Sequence, residues 1–133
     1  DAKEVPADVV ATEDCEVLLM DCSRIMCACS NACNFHQRMI FNLMKVMATK
    51  NLRFHQKIEI TSKRTTREKL MTYLMLEAKK NRSDTFEIPY DRQELADYLE
   101  VDRSGLSTEI GKLIKCGAIK SKKSHFEIIK ELV

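Results

Sequence analysis

The residues best suited to recognition chemistry lie at positions 103–108. The spacing of polar and apolar residues after Asp102 predicts a helix, with four polar side chains on the outer side of its first two turns. An arginine there can donate two parallel hydrogen bonds to guanine O6 and N7, and a hydroxyl group can bond to several base edges. We therefore predict contacts with bases in the DNA major groove for Arg103, Ser104, Ser107 and Thr108.

Basic side chains near this helix are suited to DNA phosphates. Such contacts add affinity and salt dependence but carry no sequence information. Three further basic residues, Lys63, Arg64 and Arg67, cluster at a predicted helix start, where they either contact the DNA backbone or are only solvated. The predicted phosphate contacts are Arg92, Lys112, Lys122 and Lys123.

Two short helices joined by a tight turn would position these side chains. Asp91 and Glu94 have the spacing of a capping box at the start of the first helix, and Asp102 can cap the second. A second helix with a polar outer face is typical of a helix-turn-helix, which places that helix in the major groove. Its predicted buried residues are Leu106, Ile110, Leu113 and Ile114.

A β-hairpin is predicted directly after the second helix. Gly117 can end the helix in a left-handed conformation, and two β patterns at 118–120 and 126–129 flank a polar turn at 121–124. A hairpin in this place, with lysines at its tip, is a wing suited to touching phosphate. A further short strand at 86–89, ended by Pro89, could pair with it.

Residues 88–129 resemble the DNA-binding domain of the Crp/Fnr family of bacterial transcription regulators. The resemblance is carried by the runs DRQELADYL at 91–99 and VDRS at 101–104, and it extends over essentially all 133 residues. It implies the end of a sensor β-barrel, then a dimerisation helix, then a winged helix-turn-helix. Ser104 replaces a frequent Glu of the family and Thr108 a frequent Arg, so no operator sequence is carried over.

A long amphipathic helix is predicted upstream, from about position 30 to 56. The resemblance implies that this helix pairs in parallel with a second copy of the chain. Its apolar face could also cover a β-barrel, and both roles can hold together. A β-branched segment at 58–62 is predicted to interrupt the helix as a hinge. The predicted dimer interface is Phe35, Met39, Leu43, Val46 and Met47.

Residues 1–21 are predicted to be extended, with strand-forming residues on both sides of a polar turn at 12–14. Two strands do not make a stable sheet, so we interpret this part as the remnant of a truncated sensor barrel. The resembled family's cyclic-nucleotide members carry an Arg-Ser or Arg-Thr pair near here, whereas this chain has Glu4 and Pro6, so cyclic nucleotide is not expected. The predicted domains are 1–29, 30–57 and 58–133. The strand formers are Val9, Val10, Val17, Leu18 and Leu19.

Four cysteines, Cys22, Cys27, Cys29 and Cys33, fall within twelve residues and are followed by His36. If the helix begins by Cys29, then Cys29, Cys33 and His36 share a face that could hold zinc or iron, or act as a thiol switch. The spacing lacks paired Cys-x2-Cys knuckles, and a buried free cysteine behaves as a small apolar residue. We therefore predict no metal site and keep these three as candidate ligands. Cys15 and Cys116 are predicted to be core residues.

The bulk composition narrows the class of protein. Hydrophobic residues make up 44% and charged residues 32% of the chain, and no apolar run reaches the about 20 residues that span a bilayer. Six cysteines without a secretory signal favour reduced thiols in a cytoplasm. No nucleophile–base pair, phosphate loop or carboxylate dyad indicates an enzyme.

The sequence thus predicts a mainly helical fold with a small β component. We expect a sequence-specific transcription regulator that binds double-stranded DNA as a homodimer on an inverted repeat, with RNA polymerase as a further partner. The open alternatives are a winged helix that binds protein instead of DNA, and a metal- or redox-responsive regulator that uses the segment 22–36.

Overall fold

The computed structural model describes residues 8–21 and 33–130. Within these ranges the regular structure consists of four helices and three short strands. The strands form an antiparallel sheet in the order β1-β3-β2. The mainly helical fold with a small sheet is confirmed. The elements are α1 (Asn34–Thr61), α2 (Thr66–Asn81), β1 (Thr85–Glu87), α3 (Arg92–Leu99), α4 (Arg103–Lys115), β2 (Ile119–Lys122) and β3 (His125–Ile128).

The chain divides into two compact units, 1–45 and 46–133, and α1 contributes residues to both. The second unit holds the hydrophobic core, which helices α2, α3 and α4 form with the sheet. Burial of these side chains removes apolar surface from water, which is the main favourable term in folding. The largest fully buried side chains are Phe126, Ile60, Leu70, Leu74, Leu95, Leu99, Leu106, Leu113 and Ile119.

Local capping fixes where the helices of the second unit begin. Thr65 Oγ1 accepts from the Glu68 N–H at 3.1 Å, and the Glu68 carboxylate accepts from the Thr65 N–H at 3.0 Å. Asp91 and Glu94 make the same reciprocal pair at the start of α3, with 2.8 Å for each bond. The predicted capping box of Asp91 and Glu94 is confirmed. Both capping boxes supply partners to backbone N–H groups that have none inside the helix.

The hairpin is tighter than predicted. Gly117 adopts φ 72° and ends α4, and the N–H of Ala118 donates to the Leu113 carbonyl at 2.9 Å. Strands β2 and β3 pair Lys122 with His125, which leaves a two-residue turn at 123–124. Strand β1 pairs with the edge of β3 that faces away from β2, with Phe86 opposite Phe126. The predicted strand before Pro89 and its pairing with the wing are confirmed.

The predicted hinge at 58–62 is wrong. Helix α1 continues through Thr61, and Ile60 is only 1% exposed in the core of the second unit. β-branched residues have only a slightly lowered helix propensity. Packing of the Ile60 side chain in the core stabilises the helix by more than that difference, so it outweighs the preference for extended backbone. The described part of the helix begins at Asn34, and the predicted start at position 30 lies outside the described residues.

No strand is present among residues 8–21, which have no regular secondary structure. The expectation of strands there was wrong, because a strand exists only when a neighbouring strand satisfies its backbone, and no described residue pairs with this segment. Its large apolar side chains are more than half exposed: Val9, Val10, Val17, Leu18, Leu19 and Met20.

Three residues that were predicted to be buried are exposed: Ile114, Cys15 and Cys116. Ile114 is 41% exposed because it follows the fully buried Leu113 directly, and neighbouring helical residues point about 100° apart. Cys116 lies at the C-cap of α4, where the helix leaves the core, and its thiol donates to the Leu113 carbonyl at 3.3 Å.

Gly111, inside α4, and Gly117, just after its end, give a matched test of the fold. Gly117→Ala would force an L side chain into φ 72°, so we expect a loss of about 1–2 kcal/mol in the free energy of unfolding. Gly111→Ala lies inside the helix, and a Cβ there meets no atom within 4 Å, so it should gain about 0.5–1 kcal/mol. Urea unfolding followed by tyrosine fluorescence reports on this unit, since all three tyrosines lie in it. Equal effects of the two substitutions would contradict this account of how α4 ends.

Candidate nucleic-acid interface

The outer side of α4 brings together all four predicted base-contact residues. Arg103, Ser104, Ser107 and Thr108 are exposed within the first two turns, while Leu106 and Ile110 on the opposite side are buried. This division follows from the sequence spacing, because residues three and four apart share a face of a helix. The result is a short polar surface with a single arginine at its N-terminal end.

Two hydroxyl groups of this surface already donate their hydrogens within the protein. Ser104 Oγ donates to the Asp102 carboxylate in a short hydrogen bond, and Thr108 Oγ1 donates to the Ser104 carbonyl at 2.9 Å. A hydroxyl that has donated its hydrogen still accepts, so both oxygens suit the amino groups of adenine or cytosine in the major groove. The sequence analysis missed this restriction, although serine and threonine often bond locally in helices.

Asp102 holds the start of α4. Its carboxylate accepts from the Ser104 hydroxyl and from the Gly105 N–H, the latter at 2.8 Å, and these bonds lower the pKa of Asp102 below its ordinary value. A lowered pKa in the folded state means that this carboxylate stabilises the fold above the ordinary carboxyl pKa. That contribution is lost as the pH falls through the lowered value. The predicted cap by Asp102 is confirmed.

Arg92 joins α3 to the hairpin. Its guanidinium donates to Ser121 Oγ at 2.7 Å and lies over the Phe126 ring at 5.1 Å from the centroid. Burial lowers its pKa from the ordinary value, although a guanidinium remains charged in proteins. Arg92 therefore has a structural role within the fold, and its contact with phosphate stays a prediction.

The other predicted phosphate contacts are exposed lysines. Lys112 pairs with Glu109 at 2.6 Å, and the lysine is 61% exposed. Lys122 and Lys123 lie at the hairpin tip, and neither forms an ion pair with any residue in the described ranges. Lys123 adopts φ 56° as the first residue of the turn, a conformation that glycine tolerates better. The tip thus keeps two positive charges available to a partner.

Two open grooves border the outer face of α4. The larger, about 1260 Å³, meets α4 only at Arg103. Its other lining residues include Lys123 of the hairpin tip, Arg92, and the carboxylate residues Glu77, Glu87, Asp91 and Glu94. The smaller, about 670 Å³, lies between the start of α2 and α4, with Arg67 on one wall and Thr108 and Lys112 on the other. The sequence had left Arg67 as either a backbone contact or a solvated residue. The structure places it beside the predicted reading surface.

The cysteine segment is described only at its end. Cys33 Sγ lies 2.9 Å from His36 Nδ1, whereas Cys22, Cys27 and Cys29 lie outside the described residues. Within 8–21 and 33–130, no three His, Cys, Asp or Glu side chains are grouped to hold a metal ion. The candidate ligand set therefore stays a prediction. None of the helices in the described ranges has the length and apolar character to cross a membrane.

The helix pair, the short turn and the three-stranded sheet define a winged helix-turn-helix. Residues 68–131 match the Crp-like helix-turn-helix domain, and this part of the chain is such a domain. The resemblance to the DNA-binding part of Crp/Fnr regulators is thereby confirmed. The family consists of transcription regulators, not enzymes. Comparison with curated proteins gave no match to the chain.

The hairpin tip offers a test that separates charge from stability. Lys123→Gly removes one positive charge and also relieves the positive φ, so DNA affinity should fall while the free energy of unfolding rises by up to about 1 kcal/mol. Lys123→Ala removes the same charge without that relief. Both variants should lower the slope of log affinity against log salt concentration by about 1. An unchanged salt slope in both would show that Lys123 does not contact phosphate.

Proposed function

We propose that this chain is the C-terminal part of a dimeric transcription regulator that reads an inverted-repeat operator. The observation that carries the proposal is the exposed polar face of α4, bordered on one side by the hairpin tip and on the other by the start of α2. A recognition helix of this kind enters the major groove, and its flanks follow the two phosphate backbones.

Arg103 is the proposed principal base contact. It is exposed at the first position of α4 and lines the groove shared with the hairpin tip. Its guanidinium fork matches guanine O6 and N7. Ser104 and Thr108, whose hydroxyl hydrogens are already engaged, would accept hydrogen bonds from base amino groups. Ser107 would be the hydroxyl able to donate or accept.

The lysines would contribute phosphate contacts. Lys122 and Lys123 are proposed to meet the backbone on the hairpin side, and Lys112 on the α2 side. Lys112 would exchange Glu109 for a phosphate, which is feasible because an exposed ion pair is worth only about 0–1 kcal/mol. Arg92 is proposed to fix the hairpin through Ser121 and to contact phosphate with its remaining N–H groups, since a guanidinium has five donors.

The proposed dimer forms through α1. The proposed domains are 1–29, 30–57 and 58–133. Phe35, Val46 and Met47, three of the five predicted interface residues, are more than half exposed, and Met39 and Leu43 are half-buried. The assignment of the first segment to a sensor β-barrel stays a prediction, since none of residues 8–21 forms a strand. RNA polymerase remains a predicted further partner.

A protein-binding winged helix would present an apolar outer face on α4. That face instead carries an arginine and three hydroxyl groups, and Ile114 is the large apolar side chain exposed on this helix. Charge and hydrogen-bonding capacity therefore favour DNA over protein as the partner of this surface.

Substitution of Arg103 tests the proposed reading role. Arg103→Ala should weaken binding to the preferred sequence by about 1–3 kcal/mol and remove the preference for guanine at one position of each half-site. Binding measured on an array of all short duplexes gives both quantities. Lys79→Ala, a matched loss of one exposed charge on α2, should leave the sequence preference unchanged. If both variants keep the wild-type preference, Arg103 does not read bases.

A further inference from the structure

The start of α4 presents hydrogen-bond acceptors in a fixed arrangement. The Asp102 carboxylate accepts from the Gly105 N–H at 2.8 Å and from the Ser104 hydroxyl, and Thr108 Oγ1 donates to the Ser104 carbonyl at 2.9 Å. Ser104 and Thr108 are both exposed, and both line the groove beside the start of α2. Each hydroxyl oxygen therefore keeps lone pairs for a partner while its hydrogen is engaged within the protein.

The bond from Ser104 to Asp102 resists exchange because its acceptor is a carboxylate. Hydrogen bonds to an ionised group are about twice as strong as neutral ones. This bond is the largest of the causes that hold the pKa of Asp102 below its ordinary value. A base carbonyl opposite Ser104 would either take the hydrogen from the carboxylate or face an oxygen with no hydrogen between them. Asp102 is therefore a positioning residue that makes Ser104 an acceptor.

Thr108 is restricted by the helix itself. Its hydroxyl bonds to the carbonyl four residues earlier, a local bond that threonine often makes inside a helix. Donation to a base would give this bond up, whereas acceptance from a base keeps it. Ser107 provides the contrast, because its exposed hydroxyl has no hydrogen-bond partner among residues 8–21 and 33–130. Ser107 can therefore donate or accept.

Two of the four bases offer an amino group to such acceptors in the major groove. Adenine presents N6 and cytosine presents N4, whereas guanine and thymine present carbonyl oxygens there. Base pairing uses one hydrogen of each amino group, and the other hydrogen points into the groove. A methyl group on that nitrogen replaces the groove hydrogen, because pairing needs the other one. Methylation thus removes the donor and leaves the protein oxygen facing carbon.

We propose that Ser104 and Thr108 read unmethylated base amino groups, so that methylation of adenine N6 or cytosine N4 in the operator weakens binding. The inference rests on the DNA-reading function proposed above and specifies which bases this part of α4 accepts. Arg103 lines the groove on the side of the hairpin tip and donates to guanine, whereas the two acceptors line the groove on the side of α2. The reading surface thus changes from donor to acceptor across α4.

Single methyl groups placed in the DNA test the inference with the full chain. The preferred sequence is first found on an array of all short unmodified duplexes. That duplex is then resynthesised with one N6-methyladenine or one N4-methylcytosine at each amino-bearing base in turn. We expect the affinity to fall about tenfold at one or two positions of each half-site, because an acceptor left without its donor costs roughly that factor. The modified base at those positions identifies adenine or cytosine as the base that is read.

Matched variants show whether the two hydroxyl oxygens carry the effect. Ser104→Ala combined with Thr108→Val removes both acceptors and keeps the shape at position 108, so methylated and unmodified duplexes should bind equally. Ser107→Ala removes the uncommitted hydroxyl and should keep the tenfold difference.

Asp102→Asn tests the positioning role. The amide oxygen can still accept from the Gly105 N–H, but it holds the Ser104 hydrogen less strongly than a carboxylate does. This variant should tolerate guanine or thymine at the position that Ser104 reads. Equal weakening of binding to all duplexes would show that Asp102 serves only to begin the helix.

The outcomes keep this inference apart from the function on which it rests. No sequence preference on the unmodified array would overturn both. A clear preference that no single methyl group weakens would overturn the inference and leave DNA reading intact. A methylation effect that persists in the double variant would overturn the assignment to Ser104 and Thr108, because the methyl group would then act by its bulk.

Discussion

Burial of one side of α4 is the constraint on which the rest of the winged domain depends. Leu106 and Leu113 are fully buried, so the helix has a single rotation about its axis that keeps them in the core. That rotation turns Arg103 and the three hydroxyl residues outward together. Leu70 and Leu95 on the neighbouring helices complete the same core, and the sheet closes it. The reading surface is therefore a consequence of packing on the other side of the helix.

The joint between α1 and the winged domain is held by polar as well as apolar contacts. Lys57 donates to the Tyr98 carbonyl, lies over the Tyr98 ring at 4.7 Å from its centroid, and pairs with the Glu100 carboxylate. Glu100 itself ends α3 in a left-handed conformation. Tyr98 stacks on Tyr90 at 5.1 Å and contacts Tyr73 at 5.4 Å. Desolvation by burial raises the pKa of Tyr98. These contacts fix the end of α1 against the turn that precedes α4.

Local signals in the sequence predicted the winged domain well, and long-range packing explains where prediction failed. The capping boxes at Thr65 and Asp91 and the glycine at 117 act within a few residues, so the sequence alone contains them. The helical state of 58–61 depends on Ile60 reaching a core formed by residues far along the chain. The bond of Arg92 to Ser121, 29 residues away, could not be predicted from spacing, while the assignment of Arg92 to phosphate stays a prediction. The strand preferences near Val17 could not be realised without partner strands.

Selection of bound duplexes from a randomised DNA pool, with the intact chain at near-physiological salt, tests the central claim most directly. A pair of winged domains held at one end of a parallel helix pair predicts an inverted repeat whose half-sites lie about one helical turn apart. Guanine should recur at one position of each half-site, where Arg103 would make its contact. Recovery of a single unrepeated site would contradict the dimer. Recovery of no sequence above background would contradict the assignment of the outer face of α4 as a surface that reads DNA.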